Sequence, residues 1–147
     1  MYKYTKNNFE KCKCVTWDDV ITKISYEFSV GTQKFVAEDE KIPPSFVTHS
    51  NVFPGTLYDA CEEIRVRENT SEIHTYISLG ENSSNYGRHK DTNNVLIVQS
   101  IGQMRYSFDD GCIVTLDPGD SLYIKKGVYH TPIVPCARVT LSATMRD

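Results

Sequence analysis

The side chains best suited to chemistry lie between Gly87 and Arg138. In His89-Lys90-Asp91 an imidazole and a carboxylate stand two residues apart. In extended backbone, residues at that spacing project to one face, so His89 and Asp91 point together and Lys90 points away. A second signal is Pro118-Gly119-Asp120, followed by Leu122-Tyr123-Ile124 and then Gly127-Val128-Tyr129-His130. If His130 folds back beside the first pair, His89, Asp91 and His130 make a metal site of two histidines and one carboxylate.

Such residues meet only if short strands carry them. From residue 72 onward the pattern is that of strands. Residues 74–79 alternate, with Thr75, Ile77 and Leu79 on one side. Residues 80–87 form a loop rich in Gly, Asn and Ser. The unbroken apolar run at 95–101 fits a strand covered on both faces. Gly102-Gln103 turns the chain into a strand at 104–108, and Asp109-Asp110-Gly111 turns it again. Short strands follow at 112–116 and 121–125. The last, at 138–144, sets Val139, Leu141 and Ala143 against Arg138, Thr140, Ser142 and Thr144. Many short strands joined by close turns indicate a barrel or sandwich.

The first half differs. Trp17, Val20, Ile21, Ile24 and Phe28 recur at helical spacing and form one core-facing stripe, begun by Thr16 with Asp19 and ended by Gly31. Residues 33–37 and 45–48 read as short strands on either side of Pro43-Pro44. Thr56 is placed to cap a second helix through Leu57, Tyr58, Ala60, Cys61 and Ile64. Residues 1–15 show no assignable pattern. The expectation is one domain over 1–147, with a helical and irregular part at 1–71 and a strand core at 72–144.

Composition narrows the function. A formal charge of −3 provides no basic footprint for nucleic acid. Five cysteines without a recurrent spacing argue against a disulfide framework and for a reducing compartment. The polar start of the chain contains no leader-like apolar run, and no stretch approaches the ~18 apolar residues of a membrane span. Together these make the cytoplasm the expected location.

The stretch over residues 72–142 resembles the cupin superfamily, whose fold is a double-stranded β-helix (jelly roll). Compared with the usual first cupin motif, Asp91 stands in place of the second histidine, Val95 in place of the glutamate, and Gly102 at the closing glycine. The second motif is similar to Gly119, Lys125-Lys126-Gly127 and His130, with Lys125 in place of proline. Losing the glutamate leaves three protein ligands on one face and up to three open positions, which suits non-haem Fe(II) handling oxygen. The pattern is therefore most similar to Fe(II)/2-oxoglutarate oxygenases of the JmjC and cupin-like type. Their fold implies a mainly β jelly roll, here with one or two N-terminal helices on an outer face.

That resemblance implies an oxygenase that couples decarboxylation of 2-oxoglutarate to oxidation of a substrate C–H bond. His89, Asp91 and His130 would be both metal ligands and catalytic residues. Arg138, eight residues after His130 in Arg-Val-Thr, is similar to the Arg-x-Ser that holds the cosubstrate's far carboxylate, with Tyr76, Thr140 and Ser142 nearby. If the apolar side of the last strand packs on the helices, Arg138 faces the barrel interior. The lysine that JmjC-type members carry after the closing glycine is replaced by Met104, with Arg105 beside it. Asn93, Asn94 and Gln99 are further candidates for the pocket wall. His74 is a candidate near it, Tyr129 packs outside, Lys125 and Lys126 are solvated, and His49 has no evident partner. The short chain favours a small-molecule or peptide substrate and leaves a homodimer open. The alternatives are a cupin that binds substrate directly to its metal, an isomerase, and a binding module without catalysis.

Overall fold

The structure, a computed structural model, describes residues 1–49 and 53–147. In chain order its elements are β1 (Tyr2–Thr5), a 3-10 turn (Lys11–Cys14), α1 (Trp17–Val30), β2 (Lys34–Val36), β3 (Ser45–His49), α2 (Thr56–Arg67), β4 (Thr70–Ser78), β5 (Val95–Ile101), β6 (Met104–Phe108), β7 (Ile113–Leu116), β8 (Ser121–Ile124), β9 (His130–Ile133) and β10 (Arg138–Met145). They form a seven-stranded sheet, β1-β8-β5-β10-β4-β3-β2, and a three-stranded sheet, β7-β6-β9. The pairings are antiparallel. From β5 the chain passes from the large sheet to the small one for β6 and β7, back for β8, across for β9 and back for β10. That winding is a double-stranded β-helix.

Two apolar layers explain the sequence pattern. One lies between the large sheet and the helices and includes Phe9, Val20, Leu57, Ile64, Ile77, Val139, Leu141 and Ala143. The other fills the roll with Ile97, Met104, Tyr106, Phe108, Leu116, Leu122 and Ile124. β5 serves both: Leu96 and Val98 face the helices, while Val95 and Ile97 face the interior. A strand covered on both faces has no polar side, hence its continuous apolar run. The turn from β5 to β6 depends on Gly102. Its φ is 72°, and a Cβ there would lie 2.2 Å from the Ala137 carbonyl oxygen.

Several local expectations need correction. Residues 1–15 are ordered structure: β1 pairs with β8 from Tyr2↔Ile124 to Thr5↔Ser121. Four residues are too few to show a period, and the strand is held from afar. Asp120 accepts hydrogen bonds from the Tyr4 hydroxyl (2.8 Å) and the Asn7 N–H (2.9 Å). In α1, Ile21 and Phe28 are about half exposed, and the buried face is turned toward Val20, Lys23 and Glu27. Lys23 lies over the Phe53 ring, so its long stem serves as apolar cover. Thr56 is not the cap of α2 but its first residue; Gly55 holds the cap position. The Thr56 N–H donates to Asp19 Oδ2 at 2.6 Å, so α1 supplies the acceptor that α2 lacks. β4 stops at Ser78, leaving Leu79 exposed.

Candidate metal centre

His130 opens β9, and His89 lies opposite it as a single antiparallel bridge rather than within a strand. The His89 N–H donates to the His130 carbonyl at 3.0 Å, and the His130 N–H returns the bond at 2.9 Å. The two rings meet edge to face, 4.4 Å between centroids. The Gly127 N–H donates to the Asp91 carbonyl at 3.0 Å, which ties the approach to β9 onto the His-x-Asp segment. Asp91 then reaches both rings: Oδ2 is 3.5 Å from His130 Nε2, and Oδ1 is 3.8 Å from His89 Nε2.

The remaining ring nitrogens define the chemistry. His89 Nδ1 is 2.7 Å from the Gly87 carbonyl and His130 Nδ1 is 3.0 Å from that of Val128. A carbonyl oxygen only accepts, so each Nδ1 carries a hydrogen, and in the neutral imidazole the Nε2 that faces Asp91 is the atom with the free lone pair. Burial pushes the His130 imidazole below its ordinary pKa, and repulsion from His89 adds to this against the Val128 carbonyl and Asp91. A neutral imidazole is the form that ligates. Ligands each ~2.1 Å from one ion stand roughly 3.0–3.4 Å apart. The trio, all within 4.8 Å, is close to that arrangement. The donor set therefore fits a first-row divalent metal.

The trio stands at one pocket of about 590 Å³, solvent mouth included, and Arg138, Thr140, Ser142 and Tyr76 line it too. β10 alternates as its sequence implies: Val139 and Leu141 pack toward the helices, while Arg138, Thr140 and Ser142 turn inward. Arg138 is 4% exposed. Its Nε donates to Ser78 Oγ at 2.8 Å. Ser78 Oγ is 2.7 Å from Ser45 Oγ, which donates to the Ser84 carbonyl at 2.6 Å. Since Ser45 spends its hydrogen on Ser84, Ser78 is the donor between the two hydroxyls. The chain of serines orients the guanidinium but brings it no negative charge. Among the described residues no carboxylate pairs with Arg138. Burial lowers its pKa, and an arginine remains charged even so. Thr140 Oγ1 donates to Gln99 Oε1 at 2.7 Å. Burial raises the pKa of the Tyr76 phenol, keeping its hydrogen in place.

Ser45, Ser78, Ser84, Tyr86 and Tyr106 escaped sequence reasoning. Their contacts join distant parts of the chain and leave no local spacing to read. Three wall candidates lie elsewhere. Asn93 is exposed, Asn94 accepts the Lys126 N–H at 2.8 Å, and Gln99 supports Thr140 from behind. Met104 is fully buried in the roll, and Arg105 is exposed. Arg138 is thus the one lysine or arginine lining the pocket among the described residues. Tyr129 lies outside, 3.9 Å from the Arg88 guanidinium. His49 does have a partner: it faces His74 across β3 and β4.

No family model and no curated protein sequence matches the chain. Solved structures do. YcfD, a ribosomal oxygenase from Escherichia coli, is similar at a TM-score of 0.73 and 17% identity, over 99% of this chain and 48% of that one. YcfD in complex with cobalt and 2-oxoglutarate is similar at 0.71 and 17%, over 100% and 48%. A Pseudomonas putida prolyl-4-hydroxylase is similar at 0.62 and 13%, over 99% and 92%. The chain spans about half the length of the YcfD structures. The chain shares the double-stranded β-helix fold of these structures, and a His-His-Asp trio lies in its pocket. At these identities the likeness establishes the fold.

Proposed function

We propose that the chain is an Fe(II)- and 2-oxoglutarate-dependent oxygenase, a hydroxylase of a small molecule or a peptide segment. The observation that carries this reading is Arg138: a buried cation that no carboxylate pairs among the described residues, in the same pocket as two fixed imidazoles and Asp91. An uncompensated charge is costly to bury, so a site that keeps one is suited to an anionic ligand. Cobalt and 2-oxoglutarate bound to YcfD support the same pairing of metal and keto acid.

In this reading His89 Nε2, His130 Nε2 and Asp91 hold the metal. Arg138 takes the far carboxylate of 2-oxoglutarate, positioned by Ser78 and flanked by Tyr76, Thr140 and Ser142. Val95, on the wall where a fourth ligand would otherwise reach, leaves the metal open. Bound iron would supply the oxygen activation that couples 2-oxoglutarate decarboxylation to substrate hydroxylation. The protein's part is to exclude water around the cosubstrate and to fix its orientation. The substrate would approach along the groove lined by Phe35, Tyr76 and Tyr86. No described helix is long and apolar enough to cross a membrane; we place the activity in the cytoplasm.

The test is conversion of 2-oxoglutarate to succinate by purified protein with Fe(II), ascorbate and oxygen. Slow succinate formation without substrate is expected, lost in His130→Ala. Succinate formation unchanged in that variant would exclude this assignment of the metal ligands.

A further inference from the structure

A second cluster of metal-type donors lies on the groove outside the pocket. Glu72 and His74 stand two apart on β4, and His49 on β3 is the register partner of His74. His74 Nε2 is 3.4 Å from Glu72 Oε1, and the rings of His49 and His74 are 4.2 Å apart at 64°. All three donor atoms lie within 4.8 Å of one another. The layout repeats that of the pocket trio. There, too, an imidazole and a carboxylate two residues apart on one segment face an imidazole directly across an antiparallel pair, with rings 4.4 Å apart at 61°.

We propose that His49, Glu72 and His74 form a second metal site, for a divalent ion of the zinc class. Two imidazoles and a carboxylate are a Zn²⁺ donor set, and three protein ligands leave a coordination position open. The site shares the groove with His89 and Asp91, and the Tyr76 and Tyr86 rings lie between the two clusters. Among the described residues no carbonyl holds a ring nitrogen of His49 or His74, as Gly87 and Val128 hold those of His89 and His130. The second site is therefore the weaker of the two. A metal-free ion pair of Glu72 with His74, its ring edge to face with His49, is the competing arrangement, and it binds nothing.

Zn²⁺ titration of chelator-stripped protein against a chromophoric competitor decides. Wild type is expected to bind two equivalents, and Asp91→Ala/His130→Ala one. In that background Glu72→Gln and His74→Ala should each weaken the remaining equivalent at least about tenfold. Glu72 is exposed, so Glu72→Gln leaves the fold intact and also serves in wild type, where it should remove the weaker equivalent. Absence of binding in the double variant together with one equivalent in wild type unmoved by Glu72→Gln would overturn the proposal. So would a second equivalent indifferent to Glu72 and His74, which would assign it to exposed thiols such as Cys14 or Cys112. A single wild-type equivalent that Glu72→Gln abolishes would instead count against the pocket trio and leave this site standing.

Discussion

A guanidinium sealed in a pocket and paired with no carboxylate among the described residues weakens the fold that holds it. Arg138 is anchored through Nε on Ser78, and nothing in the described chain balances its charge. Arg138→Met keeps most of the stem and removes the buried charge. It is expected to raise stability by about 1 kcal/mol or more in urea unfolding, while weakening cosubstrate binding. A loss of stability would mean that the serine relay contributes more than the charge costs. The pairing of His89 with Asp91 and the common face of Arg138, Thr140 and Ser142 were readable in sequence because period-two spacing decides which side chains share a face, whereas His130 entered through the resemblance of its motif. The serine relay was not readable, since Ser45, Ser78 and Ser84 become neighbours only when β3, β4 and the following loop are in place.

Among the elements, the turn before β8 has a use beyond placing His130. Asp120 is buried there and accepts from the Asn7 and Asp117 N–H groups and the Tyr4 hydroxyl. Burial alone would raise its pKa, but those hydrogen bonds outweigh it and hold the carboxyl below its ordinary 3.8. A carboxyl whose folded pKa is depressed contributes stability that is present above the unfolded pKa and lost as pH falls through the folded one. Acid unfolding of wild type should therefore steepen below about pH 4. Asp120→Asn should flatten that limb and cost roughly 1–3 kcal/mol at neutral pH. An unchanged acid limb would show that β1 is not clasped by the charge. The Pro-Gly-Asp turn itself was legible as a turn; its grip on β1 was not, because the partners stand more than a hundred residues apart.

The whole molecule rests on one large sheet used from both sides. Helices cover its outer face, and the roll closes over its inner face, where the pocket opens. Six of the seven strands from β4 onward followed from alternation and turn residues, and the double-sided burial of β5 from its unbroken apolar run; β9 was missed, since its four residues His130–Ile133 include a proline and show no alternation. The helical side was less legible. Hydrophobic spacing located α1 but misjudged its rotation, because the long stem of Lys23 replaces apolar residues on the buried face. The contrast is measurable: Leu141→Ala, at a fully buried position, should cost about 2–5 kcal/mol. Ile21→Ala, half exposed, should cost under about 1 kcal/mol. Equal losses would put Ile21 in the core.

In the proposed oxygenase, a metal at His89, Asp91 and His130 and a keto acid held by Arg138 bind together. Anaerobic calorimetry of 2-oxoglutarate binding, with Mn²⁺ in place of iron, measures that coupling. Wild type should bind one equivalent only when metal is present. Asp91→Ala should abolish that binding by removing the metal. Arg138→Met should keep the metal but weaken 2-oxoglutarate at least about 30-fold, the loss of a buried charge-assisted pair worth ~2 kcal/mol or more. No 2-oxoglutarate binding by metal-loaded wild type, or binding unchanged in Arg138→Met, would contradict that coupling.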